Sequence, residues 1–135
     1  LMRNLVKIKL VGWASTKELI LLYKNCRALV HTAFWEPFGL APIEAGLFGK
    51  PSIVSNVGGP AETVINGYTG LHVNPYNIES ISNALQILIT DDALCRSYGE
   101  KARANVLGKF TIQVMIDNLE RSFDKLIDDL YIDNR

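Results

Sequence analysis

Short apolar runs alternate with amphipathic stretches through the first half of this chain, and the second half is amphipathic throughout. Leu5–Val11 sets Val6, Ile8 and Leu10 against Lys7 and Lys9, the two-residue period of a strand with one wet face and hence an edge strand. Ser15-Thr16-Lys17-Glu18 is a capping box, and Leu19, Tyr23 and Cys26 carry the helix that follows. Ala28–His31, Ser52–Ser55 and Leu71–Val73 read as short strands, with turns at Gly58-Gly59-Pro60 and Asn66-Gly67. Asn77 caps a helix with Ile78, Ile81, Leu85 and Leu88 on one side, and Asp91 or Asp92 caps a second running toward Val106. Thr111 caps a third with Ile112, Met115, Leu119, Phe123, Leu126 and Leu130 in register. Strands alternating with helices predict an α/β domain with a parallel sheet over residues 1–130, and a frayed tail, Tyr131–Arg135.

One helix is unlike the others. Glu36-Pro37-Phe38-Gly39-Leu40-Ala41-Pro42-Ile43-Glu44-Ala45 reads as a loop running straight into a helix. Gly39 permits the bend, and Pro42 is tolerated because a first helical turn has no amide partner to lose. Leu40, Ile43 and Leu47 take the spacing of one buried stripe, Gly49 is the C-terminal cap, and Pro51 blocks continuation. Glu44 is the one carboxylate in this greasy helix, costly unless paired or facing a cleft. Amides near Gly39 and Leu40 point out of the positive helix end, a phosphate site that needs no side chain. Hydroxyls on either side of a phosphate could donate to Glu36 and Glu44, the layout of a sugar–phosphate–ribose ligand. The alternative is that Glu44 pairs with a nearby lysine while Glu36 is a solvated loop residue.

Composition narrows the classes. The 135 residues suffice for one modest domain with a core. Nearly half are apolar (48%), yet no apolar run approaches the ~20 residues needed to span a bilayer. No basic segment with a cleavage site opens the chain. The 14 basic and 14 acidic residues balance, leaving no bulk field for nucleic acid. Cys26 and Cys95 read as reduced core or near-core thiols, and Cys26, Cys95, His31 and His72 lack zinc-chelating spacing. The last helix mixes Asp117, Glu120, Asp124, Asp128 and Asp129 with few lysines, which disfavours anionic lipid and favours a packing helix. A cytoplasmic protein, free or peripheral at the inner face of a membrane, fits these features.

Glu36-x7-Glu44, with Phe38-Gly39-Leu40 inside it, resembles the E-x7-E motif of the large retaining glycosyltransferase family that includes glycogen synthase and many mannosyl- and glucosyltransferases. Val6–Gly12 resembles that family's strand ending in glycine, and Gly49-Lys50-Pro51-Ser52-Ile53-Val54 its G-x-P-V-V strand. Gly58-Gly59-Pro60-Ala61-Glu62 is similar to its G-G-x-x-E loop, and Asn66-Gly67-x-x-Gly70-Leu71-x-Val73 to the turn and strand that follow. The resemblance implies part of the C-terminal, donor-binding half of a GT-B fold: a partial Rossmann-like domain, its parallel sheet covered by helices on both faces, ending in helices. It implies that Glu44 accepts from the nucleotide ribose and that Glu36, the catalytic candidate, accepts from a sugar hydroxyl beside the anomeric carbon. The backbone at Phe38, Gly39, Leu40 and Ala41 would hold the diphosphate. Trp13 would neighbour the base, or else plug a strand end. Trp35 is a candidate for the sugar pocket, and Glu62 a brace for its glycine turn. His31 and Thr32 replace a frequent Pro-Ser, with His31 read as a core histidine satisfied by backbone or as a group near a phosphate.

The implied reaction is transfer of a hexose from a UDP-, GDP- or ADP-sugar to a glycan, lipid or other acceptor, without cofactor or metal, by front-face attack assisted by the departing phosphate. The pattern also departs from the family's. The family's donor domain begins with two further strands, which in its sheet would sit between Leu5–Val11 and Ala28–His31, and the first carries an Arg and a Lys that clamp the diphosphate; those strands are absent here, as is the acceptor domain. The leucine at position 1 favours a piece of a longer polypeptide. A missing N-terminal domain or a second chain is therefore an expected partner, and the chain alone is expected to be inactive. A non-catalytic nucleotide-sugar-binding or partner subunit is the alternative. A sugar-nucleotide epimerase shares the architecture but not the E-x7-E motif.

Overall fold

The computed structural model describes residues 7–132, with side chains to Leu130. In chain order the elements are α1 (Thr16–Asn25), β1 (Leu29–His31), α2 (Leu40–Leu47), β2 (Ser52–Ser55), α3 (Gly59–Thr63), β3 (Gly70–Val73), α4 (Ile78–Thr90), α5 (Asp92–Lys109) and α6 (Ile112–Ile132). The strands form one parallel sheet in the order β1-β2-β3, with Val30 opposite Ile53 and Ile53 opposite Leu71. Each strand-to-strand link thus crosses over, as parallel pairing requires.

The central strand β2 is buried along its whole length and has two different faces. Ile53 enters a core with Val73, Ala84, Leu88, Cys95 and Tyr98, where α4 and the first half of α5 cover the sheet. Ser52, pointing the other way, lines a small cavity with Pro42, Gly46, Thr63 and Ala102, where α2, α3 and the second half of α5 cover it. Helices therefore lie on both faces, as expected.

The caps explain where the helices begin. Ser15 Oγ and the Glu18 carboxylate close a reciprocal capping box at α1. Asn77 caps α4 by accepting from the Ser80 amide. Asp91 caps α5 by accepting from Leu94, which frees Asp92 to pair with Arg27 at 2.5 Å. Thr111 accepts from Val114 at the start of α6. Cys26 and Cys95 are both free thiols, the second buried.

Five expectations require correction. Residues Lys7–Gly12 form no strand, and Ile8 and Leu10 are exposed: among the described residues no neighbouring strand offers them a ladder. Leu5 and Val6, which begin the expected strand, lie outside the described residues, as do Asp133–Arg135 of the tail. Tyr131 and Ile132 continue α6. The glycine turn at Gly58 leads into a short helix, α3, because Gly58 takes a left-handed φ of 75° and Pro60 suits a first helical turn. In α2 the buried residues are Pro42, Ala45 and Gly46, whereas Leu40 and Leu47 are exposed. The reason is close packing: Gly46 sits against Val106 and Ala102 of α5, and only small residues permit that approach. Finally, α6 packs little. Its stripe stays open, with Ile112 74%, Phe123 61% and Leu126 58% exposed, because the described residues offer no surface opposite it. Only its first turn helps close a groove with Phe38, Leu40, Ile43 and Phe110.

Two glycines of α5 test this packing with opposite signs. A methyl group on Gly99 would collide with the Gly49 carbonyl, so Gly99→Ala lowers the thermal midpoint despite better helix propensity. Gly108 has open space around it, so Gly108→Ala is expected to stabilise by about 0.5–1 kcal/mol in denaturant unfolding.

Candidate functional site

The site is built where the carboxyl ends of β1 and β2 run into their loops, the usual ligand position in an open parallel sheet. The two loops interlock through backbone. The Gly59 amide donates to the Glu36 carbonyl at 2.9 Å, and Ser55 Oγ donates to the Ala33 carbonyl at 2.5 Å. A side chain on Gly59 would collide with Phe38 and the Pro37 carbonyl, and one on Gly58 would come within 2.7 Å of the Glu36 carbonyl. Gly39, at φ 87°, closes against Pro60. Glycine is thus needed for contact as much as for conformation.

This interlock holds the Glu36–Gly39 turn so that one carboxylate oxygen folds back on the turn's own amides. Glu36 Oε1 accepts from Gly39 at 3.1 Å and from Phe38 at 3.3 Å. The Gly39 bond first, then the Phe38 bond, hold the Glu36 carboxyl below its usual range. The turn before α2, where free amides were expected, therefore already seats an oxyanion, its own. The geometry is a local reach of side chain to the backbone two and three residues on, in the turn just before α2.

His31, the last residue of β1, faces the other carboxylate oxygen. Its Nε2 lies 3.8 Å from Glu36 Oε2, is buried, and has no hydrogen-bond partner. The expectation of a core histidine satisfied by backbone is thus not met at Nε2: β1 ends there, and the ring turns toward the loop instead of the sheet. Glu44, one turn into α2, accepts from the Tyr23 hydroxyl at 2.9 Å; its partner is a phenol and not a lysine. Tyr23 is buried against Phe48, ring centroids 5.8 Å apart. Burial first, then the bond to Glu44, push its phenol above the ordinary range.

The remaining candidates divide by exposure. Phe38 meets Phe110 edge-on at 6.3 Å and is half exposed, Leu40 is exposed, and Ala41 is half-buried at the start of α2. Trp13 is 98% exposed, so it plugs no strand end. Trp35 is 80% exposed beside Glu36, and Glu62 is exposed on α3. Sequence reasoning missed the Tyr23–Glu44 bond, which joins two helices 21 residues apart, and the Phe34–Tyr76 ring pair at 4.7 Å. No local pattern encodes either pairing.

The chain belongs to the family described as glycosyl transferases group 1, which it matches over residues 2–105. It is 36% identical over 110 residues to alpha-1,3/1,6-mannosyltransferase ALG2 of Dictyostelium discoideum, a match covering 82% of this chain and 26% of that protein. Among solved structures it is similar to sucrose-phosphate synthase from Thermosynechococcus elongatus (TM-score 0.77, 33% identity, 88% of this chain and 30% of that one). It is also similar to Anabaena HepE in complex with UDP-glucose (TM-score 0.72, 25% identity, 80% and 30%). The fold is accordingly that of GT-B glycosyltransferases, and the chain spans about a quarter of the mannosyltransferase it matches.

The Glu36 bonds set a pH dependence. A carboxyl whose folded value is depressed stabilises fully above its ordinary value, 4.5, and loses that contribution as pH falls through the depressed range. Glu36→Gln is therefore expected to lower the thermal midpoint at pH 7, with the gap from wild type closing in acid. A gap that widens toward acid would contradict the assignment.

Proposed function

From membership of the glycosyl transferases group 1 family, we propose that this chain is the nucleotide-sugar-binding portion of a retaining glycosyltransferase that transfers a hexose from a UDP-, GDP- or ADP-sugar to a glycan, lipid or other acceptor. The observation that carries the reading is the seat of an oxyanion on the Phe38 and Gly39 amides at the tip of α2. Two amides and a helix end that hold a carboxylate can hold a phosphate oxygen. The likeness to a protein solved with UDP-glucose supports the same ligand class.

In this reading the backbone from Phe38 to Ala41 takes the diphosphate and stabilises the charge that develops on it as it departs. Glu36 accepts from a sugar hydroxyl beside the anomeric carbon, and Glu44 from the ribose, with Tyr23 orienting its carboxylate. Exposed Trp13 and Trp35 are free to meet base and sugar. Retention follows from front-face attack assisted by the leaving phosphate, which asks the protein for positioning and charge stabilisation and not for a nucleophile. The cations that clamp the diphosphate come from another segment or chain.

A second reading, a binding subunit that works only beside a second polypeptide, is favoured by two surfaces: the edge of β1, which has no strand partner among the described residues, and the exposed apolar stripe at the start and middle of α6. Among the described residues no helix is long and apolar enough to cross a membrane. We place the protein in the cytoplasm, free or peripheral at a membrane.

Titration with UDP-, GDP- and ADP-sugars tests both readings. One donor is expected to bind, with Glu44→Ala weakening it about tenfold, the worth of one hydrogen bond to a charged group. Equal binding by Glu44→Ala would remove the ribose assignment. The 135-residue chain alone is expected to show no transfer of radiolabelled sugar.

A further inference from the structure

Resting on the reading above, we infer that His31 is a positioning residue, the second seat of the Glu36 carboxylate. Three observations converge. The Glu36 carboxylate occupies the two amides that a phosphate would take. The His31 Nε2 is buried and unbonded, and it stands 3.8 Å from the other oxygen of that carboxylate. The Gly59 amide holds the Glu36 backbone in place, so the side chain can turn while its Cα stays fixed.

A buried, unsatisfied nitrogen is costly, and a protein keeps one where another state satisfies it. A 3.8 Å separation is too long for a hydrogen bond, and about 1 Å of side-chain rotation closes it. A diphosphate and the Glu36 carboxylate are both anions and compete for the same amides. When phosphate takes them, the carboxylate needs a donor, and His31 Nε2–H is the one at hand. No bond is made or broken and no proton changes owner; one acceptor replaces another on the amides, and the displaced one moves to the imidazole.

The exchange has a consequence for the sugar. Held by His31 through Oε2, Glu36 has Oε1 released from the amides and free to accept from a donor-sugar hydroxyl. His31 thus acts through Glu36 and touches no reacting atom. A neutral imidazole with the proton on Nε2, or an imidazolium, serves equally.

The test uses the purified protein with UDP, GDP and their glucose and mannose conjugates, and reads the His31 ring nitrogens by long-range ¹H–¹⁵N correlation. Binding is expected to move the His31 Nε2 signal toward a hydrogen-bonded N–H, and Glu36→Ala, which removes the acceptor, to abolish most of that movement. His31→Phe, which deletes the donor, is expected to weaken nucleotide-sugar binding about tenfold, whereas His31→Gln, which keeps an N–H, stays within about threefold. An unmoved Nε2 signal on binding, or wild-type affinity in His31→Phe, overturns the second seat and leaves the donor site standing. Failure of every nucleotide and nucleotide sugar to bind overturns the donor site, and the second seat with it. If His31→Phe does not fold, the ring signal of the wild type and the His31→Gln affinity still decide the matter.

Discussion

Two loops from different crossovers touch here backbone to backbone, and the rest of the site depends on that contact. The Gly59 amide bonds the Glu36 carbonyl, and neither Gly58 nor Gly59 has room for a side chain against Glu36, Pro37 and Phe38. With the two backbones locked, the turn from Glu36 to Gly39 has one shape, and Gly39 enters α2 from a left-handed conformation that suits glycine. The carboxylate on the turn's amides and the imidazole facing it both follow from that shape.

The sheet beneath places the interlock. β2 is buried from Ser52 to Ser55 and is held between β1 and β3, so the loops after β1 and β2 leave the sheet side by side. Helix α2 is drawn close to α5 by Gly46, which sets the angle at which its N-terminal tip meets the loops. Tyr23 of α1, buried beside Phe48, then bonds Glu44 through its hydroxyl. Backbone contact between the two loops and the packing of α2 on α5 thus support the candidate site, and the Tyr23–Glu44 bond adds a tie across 21 residues of chain.

Away from the site the molecule is less closed. The apolar residues at Ile8 and Leu10 and along α6 face outward among the described residues. Contiguous exposed apolar faces of this kind mark surfaces available for contact with another segment or chain. The outer edge of β1 has the same character: among the described residues its strand partner is β2 alone.

Much of this was determined by the sequence itself. Caps at Ser15, Asn77 and Asp91, the glycine bend at Gly39, and the β-branched run of β2 are local devices whose partners lie within a few residues, so periodicity and capping chemistry locate them. The loop from Glu36 and the helix that begins at Leu40 were likewise legible, from the glycine bend and the apolar run that follows it. Tertiary structure alone decided which face of α2 is buried, since Gly46 meets α5 some 60 positions away. It decided that residues 7–12 form no strand, because a strand exists only with a neighbour. It paired Tyr23 with Glu44, folded Glu36 onto its own amides, and left His31 Nε2 without a bond. The first depends on two residues remote in the chain and the others on how a neighbouring loop holds the turn, and no pattern along the chain carries those distances.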